Sequence, residues 1–314
     1  MKVDMRDAFF NRLVEKAKLN PNIIILSADH GAVALEDFMV KFPNQYINIG
    51  ISEQNMVGVA AGLAASGKIV FIYGIAPFVS LRVLEQLTID VAAMNLPVNV
   101  ISVGAGFTYS TDGQTHLGLQ DMAAIMTIPG ISILNSSDPT NTSDFIDICL
   151  KEKKPHYIRI EKEKFNSFER HNVNYLEDGF SLLYENKSGI LLISTGAISQ
   201  QINEIVMEIS EFERTFITHI DIHQIKPINS EVLSSLISNY TKIVVVDESF
   251  PLGLDALIGR ICLRMRWNGE FTALNVEDSP VFDSDDRAKL RNTRGVGKHS
   301  LKKFIIKQVL DLEK

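Results

Sequence analysis

The chain has 314 residues, 46% of them hydrophobic and 22% charged, with a formal net charge of −7 at pH 7. This composition is typical of a folded globular protein and excludes a disordered or fibrous one, and the length predicts two domains. The acidic balance argues against a nucleic-acid partner, because no basic stripe is present to displace counterions.

The sequence also indicates the compartment. No apolar signal core begins it, and no run of about eighteen apolar residues follows, so we expect neither export nor membrane contact. The two cysteines, Cys149 and Cys262, lie far apart in apolar surroundings. They are typical of reduced core residues in a cytoplasmic protein.

In the first half of the chain, apolar strand-like runs alternate with helical segments. This alternation predicts an open parallel α/β sheet covered on both faces. One of the intervening segments, 79–94, is apolar and predicts a single core helix. The strand-like runs are 22–28, 46–51, 68–75, 97–105, 131–137 and 156–162.

A polar stretch separates these runs from a second α/β series. The second series has strand-like runs at 189–196, 216–227, 242–249 and 270–278. We therefore predict one α/β domain over 1–165, a linker over 166–187 and a second α/β domain over 188–314.

Ligands of open α/β sheets bind beyond the carboxyl ends of the strands, which selects the candidate site residues. Asp29 and His30 follow the first strand-like run, and Glu53 opens the apolar helix after the second. Phe78 follows the third, and the next loop ends at His116. For Glu53 a simpler alternative exists, since Ser52 can cap the helix and an acid in its first turn stabilises it by about 0.3–1 kcal/mol.

Taken together these segments resemble the C-terminal half of transketolases. On this resemblance the two α/β domains are the pyrimidine-binding domain and the transketolase C-terminal domain. Similar segments also occur in the synthase that makes deoxyxylulose phosphate and, more distantly, in the beta subunits of 2-oxo-acid dehydrogenases. The segments that carry the resemblance are ADHG (28–31), FPNQYINIGISEQNMVGVAAGLAASGK (42–68), PFVSLRVLEQ (77–86), GFTYSTDGQTHLGLQDMA (106–123), IPGISILNSSDP (128–139) and HYIRI (156–160).

The resemblance implies that thiamine diphosphate is the cofactor. Glu53 matches the glutamate that bonds to a ring nitrogen of the cofactor's aminopyrimidine, and Phe78 matches the aromatic residue that packs on that ring. Asp29 matches an acid near the cofactor. Ile75 and Leu81 stand where transketolases often carry further aromatic residues, so we expect an apolar but less aromatic cofactor pocket.

The same resemblance implies four substrate contacts. Asp112 and His116 match residues that meet the hydroxyl and carbonyl oxygens of the substrate near its reactive carbon. Arg82 and Arg159 lie where related enzymes bring cations to a phosphate or carboxylate. His30 has no counterpart and stays unassigned. Which sugars react, and whether they are phosphorylated or nucleotide-linked, stays open.

The part of the cofactor site that binds the diphosphate and its metal ion has no matching motif in this sequence. Thiamine enzymes hold the diphosphate through a cation on a Gly-Asp-Gly motif, which does not occur in this sequence. We expect a separate N-terminal subunit to supply that motif with Mg²⁺ or Ca²⁺, and this chain to supply no metal ligands. The chain should self-associate as a homodimer within an α2β2 assembly.

The implied activity is transfer of a two-carbon ketol unit between sugars, performed only with the partner subunit. Two alternatives remain open at this point. One is a subunit that resembles deoxyxylulose phosphate synthase or a 2-oxo-acid dehydrogenase beta subunit. The other is a catalytically silent regulatory or binding paralogue.

Overall fold

The structure, a computed structural model, describes residues 2–186, 189–210 and 216–312, apart from the side chain of Ala34. The end of the predicted linker, Lys187, and the start of the second predicted domain, Ser188, lie outside the described residues. The strands are β1 (Val3–Asp4), β2 (Ile23–Ser27), β3 (Tyr46–Asn48), β4 (Ile69–Ile75), β5 (Val98–Val103), β6 (Ser132–Asn135), β7 (His156–Ile160), β8 (Lys164–Phe165), β9 (Phe180–Tyr184), β10 (Ile190–Ser194), β11 (Ile217–Ile222), β12 (Gln224–Lys226), β13 (Lys242–Val246) and β14 (Glu270–Leu274).

The helices occupy the intervals between these strands and the C-terminal end. Short 3₁₀ turns and one π-helical segment, Leu87–Ala92, complete the regular structure. The α-helices are α1 (Met5–Leu19), α2 (Val33–Lys41), α3 (Glu53–Ala65), α4 (Leu84–Gln86), α5 (Asp121–Met126), α6 (Pro139–Glu152), α7 (Tyr175–Asp178), α8 (Ile198–Ser210), α9 (Ser230–Ile237), α10 (Leu254–Arg264), α11 (Arg287–Thr293) and α12 (Lys298–Leu310).

Two large open sheets organise the described part of the chain, beside a small antiparallel pair of β1 and β8. The first has the order β12-β6-β7-β5-β4-β2-β3, and the second has the order β14-β13-β10-β11-β9. In each sheet the strands pair in parallel except one edge strand, β12 in the first and β9 in the second. Strands β2, β5 and β7 are buried at every residue, as expected for parallel strands covered on both faces. The predicted α/β class is confirmed.

The two sheets share a core. On one face of the first sheet, α1 packs through Phe9, whose ring meets Phe71 edge-on at 6.3 Å between centroids. On the other face, a single apolar cluster joins Met56 of α3 to Ile72 of β4 and to Leu191 of the second sheet. The two halves of the chain are therefore packed against each other through buried side chains.

The structure differs from the prediction in the segment 166–187. The described part of it contains α7 and β9, and β9 is the antiparallel edge strand beside β11. Phe180 and Leu183 of β9 are buried, which explains the pairing. The predicted strand over 216–227 also divides, because β12 leaves the second sheet and pairs with β6 of the first. Residues 180–184 are thus a strand of the second sheet rather than part of a spacer.

The segment 79–94 also differs from the single helix predicted for it. It begins with a 3₁₀ turn at Leu81–Val83, continues through α4 and then widens into the π-helical segment. The Thr88 hydroxyl donates to the Leu84 carbonyl at 2.7 Å, a side-chain bond that competes with the regular backbone hydrogen bonds of a helix.

Among the described residues, no helix is both long and apolar enough to cross a bilayer.

Candidate functional site

The Phe78 ring is the centre of a cluster at the carboxyl edge of the first sheet. The His30 ring lies nearly parallel to it, at 11° and 6.2 Å between centroids. The His116 ring meets it edge-on, at 70° and 5.1 Å. The guanidinium carbon of Arg82 lies over it, 4.1 Å from the ring centroid. Two predicted strand-end residues, His30 and His116, and Arg82 therefore lie around one half-buried aromatic ring.

Glu53 is the first residue of α3 and is only 4% exposed. Its Oε1 pairs with Nη1 of Arg82 at 2.8 Å. Ser52 is the residue before the helix, but its hydroxyl donates to the Ile49 carbonyl at 3.2 Å and makes no capping bond. The Glu53 carboxylate is therefore directed to a partner across the site, which a purely helix-stabilising acid would not require.

Arg82 is anchored through its backbone while its side chain is 43% exposed. Its amide donates to the Pro77 carbonyl at 3.2 Å, and its carbonyl accepts from Nε2 of Gln54 at 3.2 Å. The side chain thus joins Phe78 and Glu53 from a fixed turn at the surface.

His30 is held at the end of β2 by Ser27, which is fully buried. The Ser27 hydroxyl donates to the His30 carbonyl at 2.8 Å and accepts from the His30 amide at 3.1 Å. Burial lowers the pKa of His30, while the nearby Glu53 carboxylate acts in the opposite direction. At neutral pH the ring is therefore neutral and able both to donate and to accept a hydrogen bond.

Asp29 lies at the rim of this cluster and is exposed. Its backbone adopts the left-handed conformation, with φ of 59°. Asn48 secures it, since Asn48 Oδ1 accepts from the Asp29 amide at 3.1 Å and Asn48 Nδ2 donates to Asp29 Oδ1 at 3.3 Å.

The loop after β5 carries Asp112 and His116, and its two ends are joined by backbone bonds. The amide of Gly106 donates to the Gly118 carbonyl at 2.8 Å, and the reverse bond is 3.1 Å long. A side chain at Gly118 would collide with the Gly104 carbonyl, so the close approach requires glycine. This closed base holds the His116 ring against Phe78, whereas Asp112 is exposed at the loop tip.

Arg159 does not join the cluster. It is 2% exposed, and its Nε and Nη2 donate to the two carboxylate oxygens of Asp121 at 2.8 and 3.1 Å. Nη2 also donates to the Gly118 carbonyl at 3.0 Å. Nε and Nη2 are thus used within the chain, and contact between Arg159 and a substrate oxyanion stays a prediction. The geometry makes it an anchor for the base of the His116 loop.

Ile75 and Leu81 flank Phe78 on the same turn. Ile75 ends β4, is buried, and accepts the Phe78 amide at 2.9 Å through its carbonyl. Leu81 is 41% exposed.

Among the described residues, no three or more His, Cys, Asp or Glu side chains are grouped so as to hold a metal ion. Both cysteines are buried and unpaired, as the sequence predicted.

Comparison with known proteins gives the family. Residues 1–167, more than half of the chain, match the family described as "Transketolase, pyrimidine binding domain". This chain belongs to the transketolase family. Members of this family generally use thiamine diphosphate.

Curated members of the transketolase family resemble the chain over most of its length. An apulose-4-phosphate transketolase subunit of Phocaeicola vulgatus is 28% identical over 250 residues, which are 79% of this chain and 80% of that one. A putative transketolase C-terminal section of Methanocaldococcus jannaschii is 27% identical over 310 residues, 97% of this chain and 96% of that one. The predicted correspondence to the C-terminal half of a split transketolase is confirmed.

A solved transketolase structure has the same fold. It is described as a split gene transketolase in an inactive beta4 tetramer, and it superposes with a TM-score of 0.84. The identity is 22%, and the superposition covers 99% of each chain. Both sheets are therefore arranged as in transketolases.

Two features of the site have no counterpart in the sequence-based predictions. The sequence places His30 at a strand end and gives it no role, although its ring stacks on Phe78. The pairing of Arg82 with Glu53 has no sequence signal, because nothing in the local pattern of either segment points to the other. The strand-end rule grouped His30 with Phe78 as candidate residues, but it could not group Arg82 with Glu53.

Proposed function

We propose that this chain is the pyrimidine-binding and C-terminal subunit of a two-subunit transketolase that uses thiamine diphosphate to transfer a two-carbon ketol unit between sugars. The observation that carries the proposal is that the buried Glu53 carboxylate and the Phe78 ring both contact one flat, nitrogen-bearing group, the Arg82 guanidinium. An aminopyrimidine ring is also flat and nitrogen-bearing, so these two residues fit it. The two histidines beside Phe78, His30 and His116, suit a sugar substrate.

In this proposal the cofactor supplies the reactive carbon, and the residues of this chain bind and orient it. When bound, thiamine diphosphate supplies a carbon nucleophile. Glu53 binds a ring nitrogen of the aminopyrimidine, and its burial strengthens that hydrogen bond because the local dielectric is low. Phe78 orients the ring by stacking, worth about 0.5–1.5 kcal/mol beyond its burial. Asp29 lies at the rim, and Ile75 and Leu81 complete the apolar wall.

The substrate residues act on protons and hydroxyl groups. His116 holds or moves a proton at the carbonyl or hydroxyl oxygen of the sugar, because its ring lies against Phe78 at the end of a closed loop. Asp112 at the loop tip accepts a hydrogen bond from a sugar hydroxyl. His30, fixed by Ser27 and with a lowered pKa that favours the neutral ring, also lies beside Phe78.

The diphosphate and its metal ion belong to a partner in this proposal. The sequence contains no Gly-Asp-Gly motif, and its relatives are named as one subunit of a transketolase and as a transketolase C-terminal section. An N-terminal subunit that carries the motif would bind the diphosphate through Mg²⁺ or Ca²⁺. Two copies of each chain would form an α2β2 assembly in the cytoplasm, with this chain self-associated as a homodimer.

The direct test is an assay of this chain together with an N-terminal transketolase subunit from the same organism. Ketose donors and aldose acceptors should give ketol transfer, and apulose 4-phosphate, named for a relative, is a first substrate to try. The matched comparison is pyruvate as donor. Release of carbon dioxide from pyruvate in place of ketol transfer would instead assign a decarboxylating subunit.

A further inference from the structure

The Arg82 guanidinium makes two contacts with the residues of the proposed pyrimidine site. Its carbon lies 4.1 Å from the Phe78 centroid, and its Nη1 lies 2.8 Å from Glu53 Oε1. The first contact is stacking on an aromatic ring, and the second is a charge-assisted hydrogen bond to a carboxylate. These are the same two contacts that the proposed function gives to the aminopyrimidine.

We propose that Arg82 competes with the aminopyrimidine for Glu53 and Phe78, so that cofactor binding must displace the guanidinium. The proposal rests on the proposed function. A guanidinium is a flat, conjugated group with N–H donors in its plane, and it imitates the nitrogen-bearing edge of an aminopyrimidine. The two groups therefore suit the same pair of residues.

The surroundings of Phe78 favour competition between the two groups over simultaneous binding. The His30 ring is parallel to the Phe78 ring, the His116 ring is edge-on to it, and the guanidinium lies over it. A flat group that stacks on the face covered by the guanidinium requires the guanidinium to move. Glu53 is likewise 4% exposed, so an incoming partner must take the place of Arg82 at the carboxylate.

Arg82 is the group that can move. Its side chain is 43% exposed, while its backbone amide and carbonyl are held by Pro77 and Gln54. The side chain can therefore swing outward without disturbing the turn. His30, in contrast, is held by two hydrogen bonds to the buried Ser27.

The pairing has a physical reason. A buried carboxylate without a partner is costly, and the guanidinium neutralises Glu53 whenever the aminopyrimidine is not bound to it. Displacement by the cofactor frees a cation at the mouth of the site. That cation can then meet an oxyanion of the substrate, the role expected of Arg82 from the sequence.

The test uses the full chain and a probe that needs no diphosphate site, 4-amino-5-hydroxymethyl-2-methylpyrimidine. Titration followed by NMR should show that Arg82→Ala binds the probe roughly 5- to 30-fold more tightly than wild type, since cation–π and ion-pair contacts no longer compete. Arg82→Lys keeps the charge but lacks the planar guanidinium, so its affinity for the probe should lie between those of wild type and Arg82→Ala. The Nε–H resonance of Arg82 should shift as the probe saturates the wild-type chain.

Arg12→Ala is the matched control. Arg12 is also partly exposed and paired with a carboxylate, Asp147, but it lies on α1. Its loss should leave probe affinity unchanged.

The outcomes separate the two proposals. Binding that weakens in Phe78→Ala and Glu53→Ala but is not strengthened by Arg82→Ala would overturn the competition and leave the pyrimidine site intact. If probe binding does not depend on Phe78 and Glu53, or no binding occurs, both proposals fail. Circular dichroism on each variant checks that the fold is retained.

Discussion

Among single residues, the strand-end rule identified the positions of the site but not their contacts. Glu53, Phe78 and His116 follow different strands and meet at one edge of the sheet, as the sequence predicted. Arg159, whose substrate role came from the family resemblance, shows a different limit. Every residue of β7 is buried, so the sequence could not indicate that its partner would be Asp121 rather than a ligand.

The first prediction concerns Glu53→Gln in the assembled two-subunit enzyme. The amide keeps the shape of the side chain but removes its charge, so the hydrogen bond to the aminopyrimidine should no longer activate the cofactor. Exchange of the cofactor's C2 proton, followed by NMR at saturating cofactor, should slow by on the order of 10²-fold or more. Glu85→Gln, an exposed carboxylate on α4, is the control. An unchanged exchange rate would refute the role of Glu53.

His116→Ala should have a different effect. The ring contacts Phe78 from a loop and is expected to serve the substrate, so cofactor affinity and proton exchange should be retained. Sugar turnover should fall by on the order of 10²- to 10⁴-fold, the usual contribution of a general acid or base. The exposed His299 of α12 provides a control substitution, His299→Ala. Loss of cofactor binding in His116→Ala would mean that the residue is wrongly assigned.

At the level of secondary structure, the central parallel strands could be predicted from the sequence, but the edge strand β9 could not. The buried apolar runs gave β2, β4, β5 and β7 within one or two residues at each end. The polar residues of the segment 166–187 predict a linker, but the buried Phe180 and Leu183 place β9 in the second sheet. This strand is short and follows a long polar stretch, so its apolar residues do not stand out in the sequence.

The Arg159–Asp121 ion pair at the base of the His116 loop gives a prediction about stability. Arg159→Ala leaves the buried Asp121 without its cation, although the Tyr157 hydroxyl still donates to it, so the free energy of unfolding should fall by about 3–5 kcal/mol. Chemical denaturation measures this loss. Lys41→Ala, which breaks the exposed pair with Asp37, should cost less than about 1 kcal/mol. A stable Arg159→Ala with a raised KM for substrate would instead restore Arg159 as a substrate ligand.

Across the molecule, buried charges tie the two sheets together. Arg287 of α11 pairs with Glu161, which follows β7, at 3.0 Å and with Glu248, which follows β13, at 2.5 Å. Arg291 also pairs with Glu248, at 2.6 Å, and the two arginines lower the pKa of that carboxyl to about 2 despite its burial. The sequence predicted two α/β domains, but these long-range pairs have no local pattern that could reveal them.

Asp221 connects the domains in a way that should depend on pH. It lies on β11 and accepts hydrogen bonds from Ser137 at 2.5 Å and Ser199 at 2.6 Å. Burial raises its pKa to about 7, against the effect of both hydroxyls. An unfolded aspartate has a pKa of about 3.9, so between these values the folded chain holds a proton that the unfolded chain has released. Its contribution to stability is therefore lost as the pH rises from about 4 to about 7.

Asp221→Asn removes this titration while keeping the shape of the side chain. Relative to wild type, the variant should gain stability as the pH rises through that window, by on the order of a few kcal/mol at its upper end. Denaturation curves at several pH values measure the difference. The exposed Asp278 gives the control Asp278→Asn, for which no such trend is expected. A difference that stays constant from pH 4 to pH 8 would argue against the assignment.

The proposed function depends above all on this chain supplying the pyrimidine half of a shared cofactor site. The decisive measurement is calorimetric titration of thiamine diphosphate into the purified chain, with and without Mg²⁺ and with and without an N-terminal subunit carrying Gly-Asp-Gly. We predict weak, magnesium-independent binding by the chain alone and tight, magnesium-dependent binding by the pair. Tight, magnesium-dependent binding by this chain without any partner would show that the cofactor site is not shared.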